Sequence, residues 1–253
     1  MKNSGYDLIF SLGGCCHAAA QLTRRGLRPF STPLDWIGFA SAEPTIRYLP
    51  TGFRTRFADF CRKENLRAYK PSENNLESNW APYCYDDVHT GFIFIHHFFK
   101  PVEDEAGYNE VMAKFRRRFD RLFSAVDSCS SVLFILHTWF AYDPELIDPL
   151  YDALREIWPG KKIAVRVMQF AASADAQEPE RWGGGGLYRY KRRCNPYDFT
   201  ETNWEWSFLD GYMDKRRKLK PRGLDRVAYK ICKSLHKMLK RKGYDVDFRQ
   251  KRS

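Results

Sequence analysis

The run Val132-Leu133-Phe134-Ile135-Leu136 contains no polar residue, and no other feature constrains the fold of this chain so strongly. A strand alternates its side chains between two faces, so a segment apolar at every position must be covered on both. Two further segments, 7–12 and 162–170, read as strands of the same kind. Between them lie stretches with helical periodicity. From residue 108 to 126, Val111, Phe115, Phe119, Leu122 and Phe123 share one face, while Lys114, Arg117, Arg118 and Arg121 lie elsewhere. Residues 144–158 form a second amphipathic helix, stopped by Pro159-Gly160. Strands alternating with helices predict an α/β fold with a mostly parallel sheet flanked by helices.

The chain opens in the same way. Residues 7–12 end at Gly13-Gly14, and Cys15 to Arg25, with three alanines and Leu22, carries good helix chemistry closed by Gly26. A loop stiffened by Pro29 and Pro33 leads to a helix near 43–49. Residues 62–90 are polar and read as a long excursion over the surface, or a loop over a site. Residues 91–98 form a strand that ends in His96-His97-Phe98. The run Gly183 to Gly186 reads as a flexible loop, since the phosphate-binding pattern GxxxxGK[ST] is absent. Residues 203–209, with Trp204, Trp206 and Phe208, suit a last helix or edge strand.

Charge divides the 253 residues into two parts. Residues 214–253 carry a net charge of +12, whereas 1–213 carry −1. We therefore expect an α/β domain over 1–213 and a basic amphipathic helical tail over 214–253. A near-neutral body argues against a nucleic-acid enzyme with a basic groove. In the tail, Val227, Ile231, Leu235, Met238 and Leu239 recur at helical spacing among lysines. That stripe suits docking on the body or, through 224–253, an anionic membrane surface. No stretch approaches the roughly 18 apolar residues of a membrane span, and no signal-peptide block opens the chain. A cytoplasmic protein, peripheral at most to the inner face of the membrane, is expected. The seven cysteines, at 15, 16, 61, 84, 129, 194 and 232, share no repeated spacing. Neither a disulfide framework nor a metal site is expected, no cofactor is implied, and most thiols should be buried.

Ligands of open α/β sheets bind beyond the carboxyl ends of the strands. Three predicted strand ends carry reactive side chains: Gly13-Gly14-Cys15-Cys16-His17, His96-His97 and His137. Parallel strands would bring them to one rim. Cys16 falls in the first turn of its helix, where the dipole and free N–H groups favour a thiolate and can hold an oxyanion. Each residue also has a plainer reading. Cys15 and Cys16 are small residues where helix meets strand, His17 is a surface or capping residue, and His137 is a hydrogen-bonded core histidine.

The residues Ser11-Leu12-Gly13-Gly14-Cys15-Cys16-His17-Ala18-Ala19-Ala20-Gln21-Leu22, then Gly26-Leu27-Arg28, then Pro33-Leu34-Asp35-Trp36, resemble a pattern known from a bacterial family. It is a domain-of-unknown-function family labelled putative papain-like cysteine peptidase, with the pattern SLGxxCxxAxxL, a P[FL]DW motif and a later HDF-like strand end. The resemblance covers roughly residues 6–140. It implies a nucleophile at Cys16, a base at His96 or His97, and Asp35 as an orienting carboxylate, with N–H groups at 15–17 as an oxyanion hole. His97 stands where the family has an acid, so both histidines remain candidates for the base. Asp35 can also be read as a helix N-cap. The strand–glycine–nucleophile–helix entry resembles esterase-type hydrolases and nucleotide-binding α/β folds too. Two functions follow as expectations. One is a cysteine hydrolase or acyltransferase acting on a small-molecule, peptide or glycan substrate. The alternative is a non-catalytic or glycan-pathway module that binds a sugar or phosphate at the rim.

Overall fold

The structure, a computed structural model, describes residues 5–14, 16–39, 42–69, 81–138, 144–170, 180–182, 185–190, 206 and 209. Strand β1 (Leu8–Ser11) leads through Gly13-Gly14 into helix α1 (Cys16–Arg24). A 3-10 turn (Pro33–Trp36) and the short strand β2 (Gly38–Phe39) precede helix α2 (Ala42–Arg54). Strands β3 (Leu66–Ala68), β4 (Tyr83–Asp87) and β5 (Phe92–Phe98) follow, then the long helix α3 (Glu105–Asp127). The chain continues through β6 (Ser131–Thr138), α4 (Asp148–Ile157), β7 (Lys162–Phe170), β8 (Glu180–Trp182) and β9 (Gly185–Tyr190).

These strands form two sheets. The first runs β1-β6-β7-β9-β8, with β1, β6, β7 and β9 parallel and β8 antiparallel at the edge. Every residue of β6 from Ser131 to His137 is buried, as a doubly covered strand requires, and successive side chains join different clusters. Val132, Phe134 and Leu136 join the large core built with α2, α3 and α4, while Leu133 and Ile135 join a smaller cluster with Ala18 and Leu22 of α1. Trp206 and Leu209 lie in that smaller cluster. The second sheet is antiparallel, in the order β2-β5-β4-β3. Its strand β5 is fixed to α3 by aromatic rings. Phe60 meets Phe92, Phe94, Phe115 and Phe119 edge-on at 5.0–5.4 Å between centroids. Such pairs add about 0.5–1.5 kcal/mol each beyond the area they bury.

The α/β reading with a parallel sheet flanked by helices holds, and the structure adds three corrections. Strand β5 belongs to the antiparallel sheet, so the histidine pair does not lie at the end of a parallel strand. The polar stretch 62–90 contributes β3 and β4 instead of only a surface excursion. Of the glycine run, Gly185 and Gly186 belong to strand β9 instead of a loop, with Gly185 paired to Trp182 of β8. The expected basic tail, 214–253, and all of 203–209 except Trp206 and Leu209 lie outside the described residues. No helix among the described residues is long and apolar enough to cross a membrane.

Candidate active site

The turn before α1 is built around two glycines with positive φ, +91° at Gly13 and +94° at Gly14. Side chains rarely adopt that conformation. At Gly14 space also forbids one: a Cβ there would lie 1.4 Å from the carbonyl oxygen of His137. The close approach arises because the turn continues the sheet pairing. Leu12 donates to the Ile135 carbonyl at 2.8 Å, and His137 donates back to the Gly13 carbonyl at 3.3 Å. Gly14 also bridges to Gly38 of β2. The turn thus sits between the two sheets and delivers Cys16 as the first residue of α1.

Cys16 meets a histidine from the other sheet. Its Sγ lies 3.4 Å from His96 Nε2, within hydrogen-bond distance for sulfur. Strict alternation from Phe92 and Phe94, both buried in the core, would send His96 into that core and His97 away from it. The β4–β5 ladder is irregular at this point: Tyr85 pairs with Phe94 but Tyr83 pairs with Phe98, so two steps of β4 oppose four of β5. A bulge of this kind re-aims side chains. His97 consequently turns inward, 4.9 Å from the Phe115 ring, while His96 faces the cysteine.

His97 is 4% exposed, and neither ring nitrogen has a hydrogen-bond partner among the described residues. Burial, reinforced by the charges of Lys114, His96 and Arg118, pushes its pKa down to about 3. The Trp36 carbonyl is near enough to oppose that shift but not in bonding geometry. His97 is therefore a neutral core side chain at ordinary pH.

Asp35 is buried, and its Oδ2 accepts from Arg28 Nε at 2.9 Å, Arg28 Nη2 at 2.6 Å and the Thr32 backbone N–H at 2.7 Å. The Thr32 N–H bond to Asp35 is the backbone half of a capping box around the 3-10 turn. Burial raises the Asp35 pKa, and the Arg28 charge works against it. The carboxylate is committed to Arg28 and Thr32, so the expected direct contact with a histidine is replaced by an indirect one. Arg28 lies over the Trp36 ring, 5.4 Å from its centroid, and Trp36 meets the His96 ring edge-on at 6.2 Å. Trp36 is the member of the site that the motif contained but the residue chemistry did not single out.

His17 is not a surface residue. It is 3% exposed and stacks on His137 at 5.5 Å, and His137 stacks in turn on Trp206 at 5.9 Å. Position explains the stack. His137 shares the β6 face of Leu133 and Ile135, which α1 covers, and His17 is on α1. His137 is fully buried, as the core-histidine reading expected. Among the described cysteines, Cys61 is buried, whereas Cys16, Cys84 and Cys129 are half-buried and all four are free thiols. Burial raises the pKa of Cys61, Cys84 and Cys129.

Comparison with known proteins places these residues in a family. No solved structure matches the chain. An uncharacterized protein of Acanthamoeba polyphaga mimivirus is 29% identical over 141 residues, which is 52% of this chain and 62% of the viral protein. The chain therefore spans under two thirds of that relative's length. A family model matches residues 7–169, from the first strand to the end of β7, and includes Cys16, Asp35 and His96. The chain belongs to the family described as putative papain-like cysteine peptidase.

Proposed function

We propose that this protein is a thiol hydrolase or acyltransferase in which Cys16 is the nucleophile and His96 the base. The observation that carries the reading is the 3.4 Å separation of Sγ and Nε2 at the first residue of a helix. A helix N-terminus favours an anion, and an adjacent imidazole can accept the thiol proton, so the pair suits a thiolate–imidazolium. The thiolate attacks the carbonyl carbon of an ester, thioester or amide, and the carbonyl π electrons move to oxygen. Free N–H groups in the first turn of α1 face that oxyanion. Collapse of the tetrahedral adduct breaks the bond to the leaving group, which takes the proton from His96. The acyl group then rests on sulfur as a thioester. Water, or an acceptor nucleophile, gives its proton to His96 and attacks the thioester, which releases the acyl product and regenerates the thiolate.

Asp35 enters as a positioning residue. Held by Arg28 and Thr32, it fixes the turn that presents Trp36 to His96, and so limits rotation of the imidazole. His97 has no place in the proton path, because it is buried in the aromatic core.

An activated ester tests this reading. With p-nitrophenyl acetate, wild-type protein should release a burst of nitrophenol stoichiometric with protein, and the acetyl group should be found on Cys16 by mass spectrometry. Cys16→Ser should abolish the burst. Release without a burst, or acetyl on another residue, would overturn the assignment. The site would then be better described as a ligand-binding rim of the sugar- or phosphate-binding kind.

A further inference from the structure

Helix α3 carries a stripe of four cations, Lys114, Arg117, Arg118 and Arg121, at i, i+3, i+4 and i+7. Residues at that spacing share one helix face. Among the described residues no carboxylate forms an ion pair with any of the four. Charges on helix surfaces commonly pair at i,i+4, as Glu43 and Arg47 do on α2. Of its two half-buried members, Lys114 feels Glu110, and Arg118 feels the buried Asp35, which is already bonded to Arg28. Lys114 and Arg118 are half-buried, and burial disfavours the charge on both. An anion beside them would offset that cost.

The stripe lies beside the turn that carries Asp35 and Trp36. Helix α3 packs on the Pro33–Trp36 turn, as does β5. Lys114 and Arg118 both act on His97, the neighbour of His96. Arg28 joins the two groups, bonded to Asp35 and lying over Trp36, whose edge meets His96. Arg121 lies over the Phe30 ring in the same loop. The other cation of this helix segment, Arg116, lies on the opposite flank, in a groove with Arg56, Met112 and Asp120. The four charges of the stripe are therefore on the flank of α3 that meets the Pro33–Trp36 turn and its loop, one residue contact removed from the dyad through Trp36.

We propose that this stripe, with Arg28 behind it, binds an anionic group of the substrate, a carboxylate or a phosphate, and so selects acidic substrates for Cys16. The inference rests on the thiol-nucleophile reading, and its test separates the two. Cys16 is alkylated with iodoacetate, which is anionic, and with iodoacetamide, which is neutral and nearly the same size. The ratio of the two rates reports charge near the sulfur, and the iodoacetamide rate alone reports the nucleophile.

In the triple variant Arg117→Gln, Arg118→Gln, Arg121→Gln, the iodoacetate-to-iodoacetamide ratio should fall about three- to ten-fold at low salt, with the iodoacetamide rate retained. Raising the ionic strength should bring the wild-type ratio towards that of the variant. Arg116→Gln, which removes an equal charge on the opposite flank, should leave the ratio unchanged. Should the triple variant not fold, the exposed Arg117→Gln alone should lower the ratio by a smaller factor. Inorganic phosphate and glutarate at matched ionic strength then distinguish the two anions, since the better competitor against iodoacetate identifies the group.

A ratio indifferent to the stripe, or equally sensitive to Arg116→Gln, would overturn the anion site whatever the reactivity of Cys16. So would an iodoacetate rate that neither competitor lowers. A Cys16 no faster than the other thiols towards iodoacetamide would overturn the nucleophile reading instead.

Discussion

Cys16 Sγ and His96 Nε2 are 3.4 Å apart although 80 positions separate the residues and each is tied to a different sheet. Two local irregularities produce the meeting. The Gly13-Gly14 turn threads Cys16 between the sheets, and the bulge in β5 turns His96 outward while His97 turns in.

The first irregularity can be tested by adding one methyl group. Gly14→Ala must place its Cβ against the His137 carbonyl, with φ in the positive region. It should cost about 4 kcal/mol or more, or prevent folding. Gly26 also has a positive φ, but a Cβ there meets nothing within 4 Å. Gly26→Ala should cost only about 1–2 kcal/mol, the backbone penalty alone. Urea denaturation of both variants measures the difference, and equal midpoints would contradict the packing described for the turn.

Asp35 separates positioning from direct orientation. Asp35→Ala leaves Arg28 without its buried partner, which should destabilise the protein by about 3 kcal/mol. Asp35→Asn should lose less, because its side-chain oxygen can still accept from Thr32. In neither variant should the shape of the pH profile of Cys16 alkylation change. A shifted profile with unaltered stability would mean that the carboxylate acts on His96 directly.

The acid sensitivity of the fold carries the mark of His97. Its pKa in the folded protein is pushed down to about 3, well below the usual histidine range. The unfolded chain therefore binds a proton that the folded protein refuses, and stability is lost as pH falls from about 6.5 towards 3. His97→Leu removes that loss, and no hydrogen bond of the ring is forfeited. The variant should match the wild type within about 1 kcal/mol at pH 8, and exceed it by about 3 kcal/mol at pH 4. Denaturant midpoints at the two pH values decide it. A difference independent of pH would mean that the ring is protonated or hydrogen-bonded in the fold.

Local signals made part of this architecture legible in the sequence. An apolar run that stops at two glycines before an alanine-rich stretch can only be strand, turn and helix, and β1 and α1 follow. The apolar segment 132–136 likewise required cover on both faces, which the two core clusters supply. Long-range registers were not legible. Nothing local to Phe92–Phe98 distinguishes a parallel strand from an antiparallel one, because both faces of β5 are covered. The bulge that selects His96 over His97 exists only relative to β4. The partner of His17 is fixed by the register of β6 under α1. Helical position alone suggested an exposed or capping role. The Thr32–Asp35 pair was closer to the surface of the sequence, since a threonine three residues before an acid is a capping signal. The stacking of Arg28 and Trp36 against the dyad needed the folded turn.

Alkylation of Cys16 by iodoacetamide across pH 6 to 9, in wild type, His96→Ala and His97→Leu, bears most directly on the dyad. Cys61, Cys84 and Cys129, whose pKa values burial raises, are internal references in the same digest. We expect wild-type Cys16 to react roughly ten- to a hundred-fold faster than these thiols at pH 6. His96→Ala should erase that advantage, and His97→Leu should leave it intact. A Cys16 that gains reactivity only at alkaline pH together with the reference thiols, and is unaffected by His96→Ala, would contradict the account.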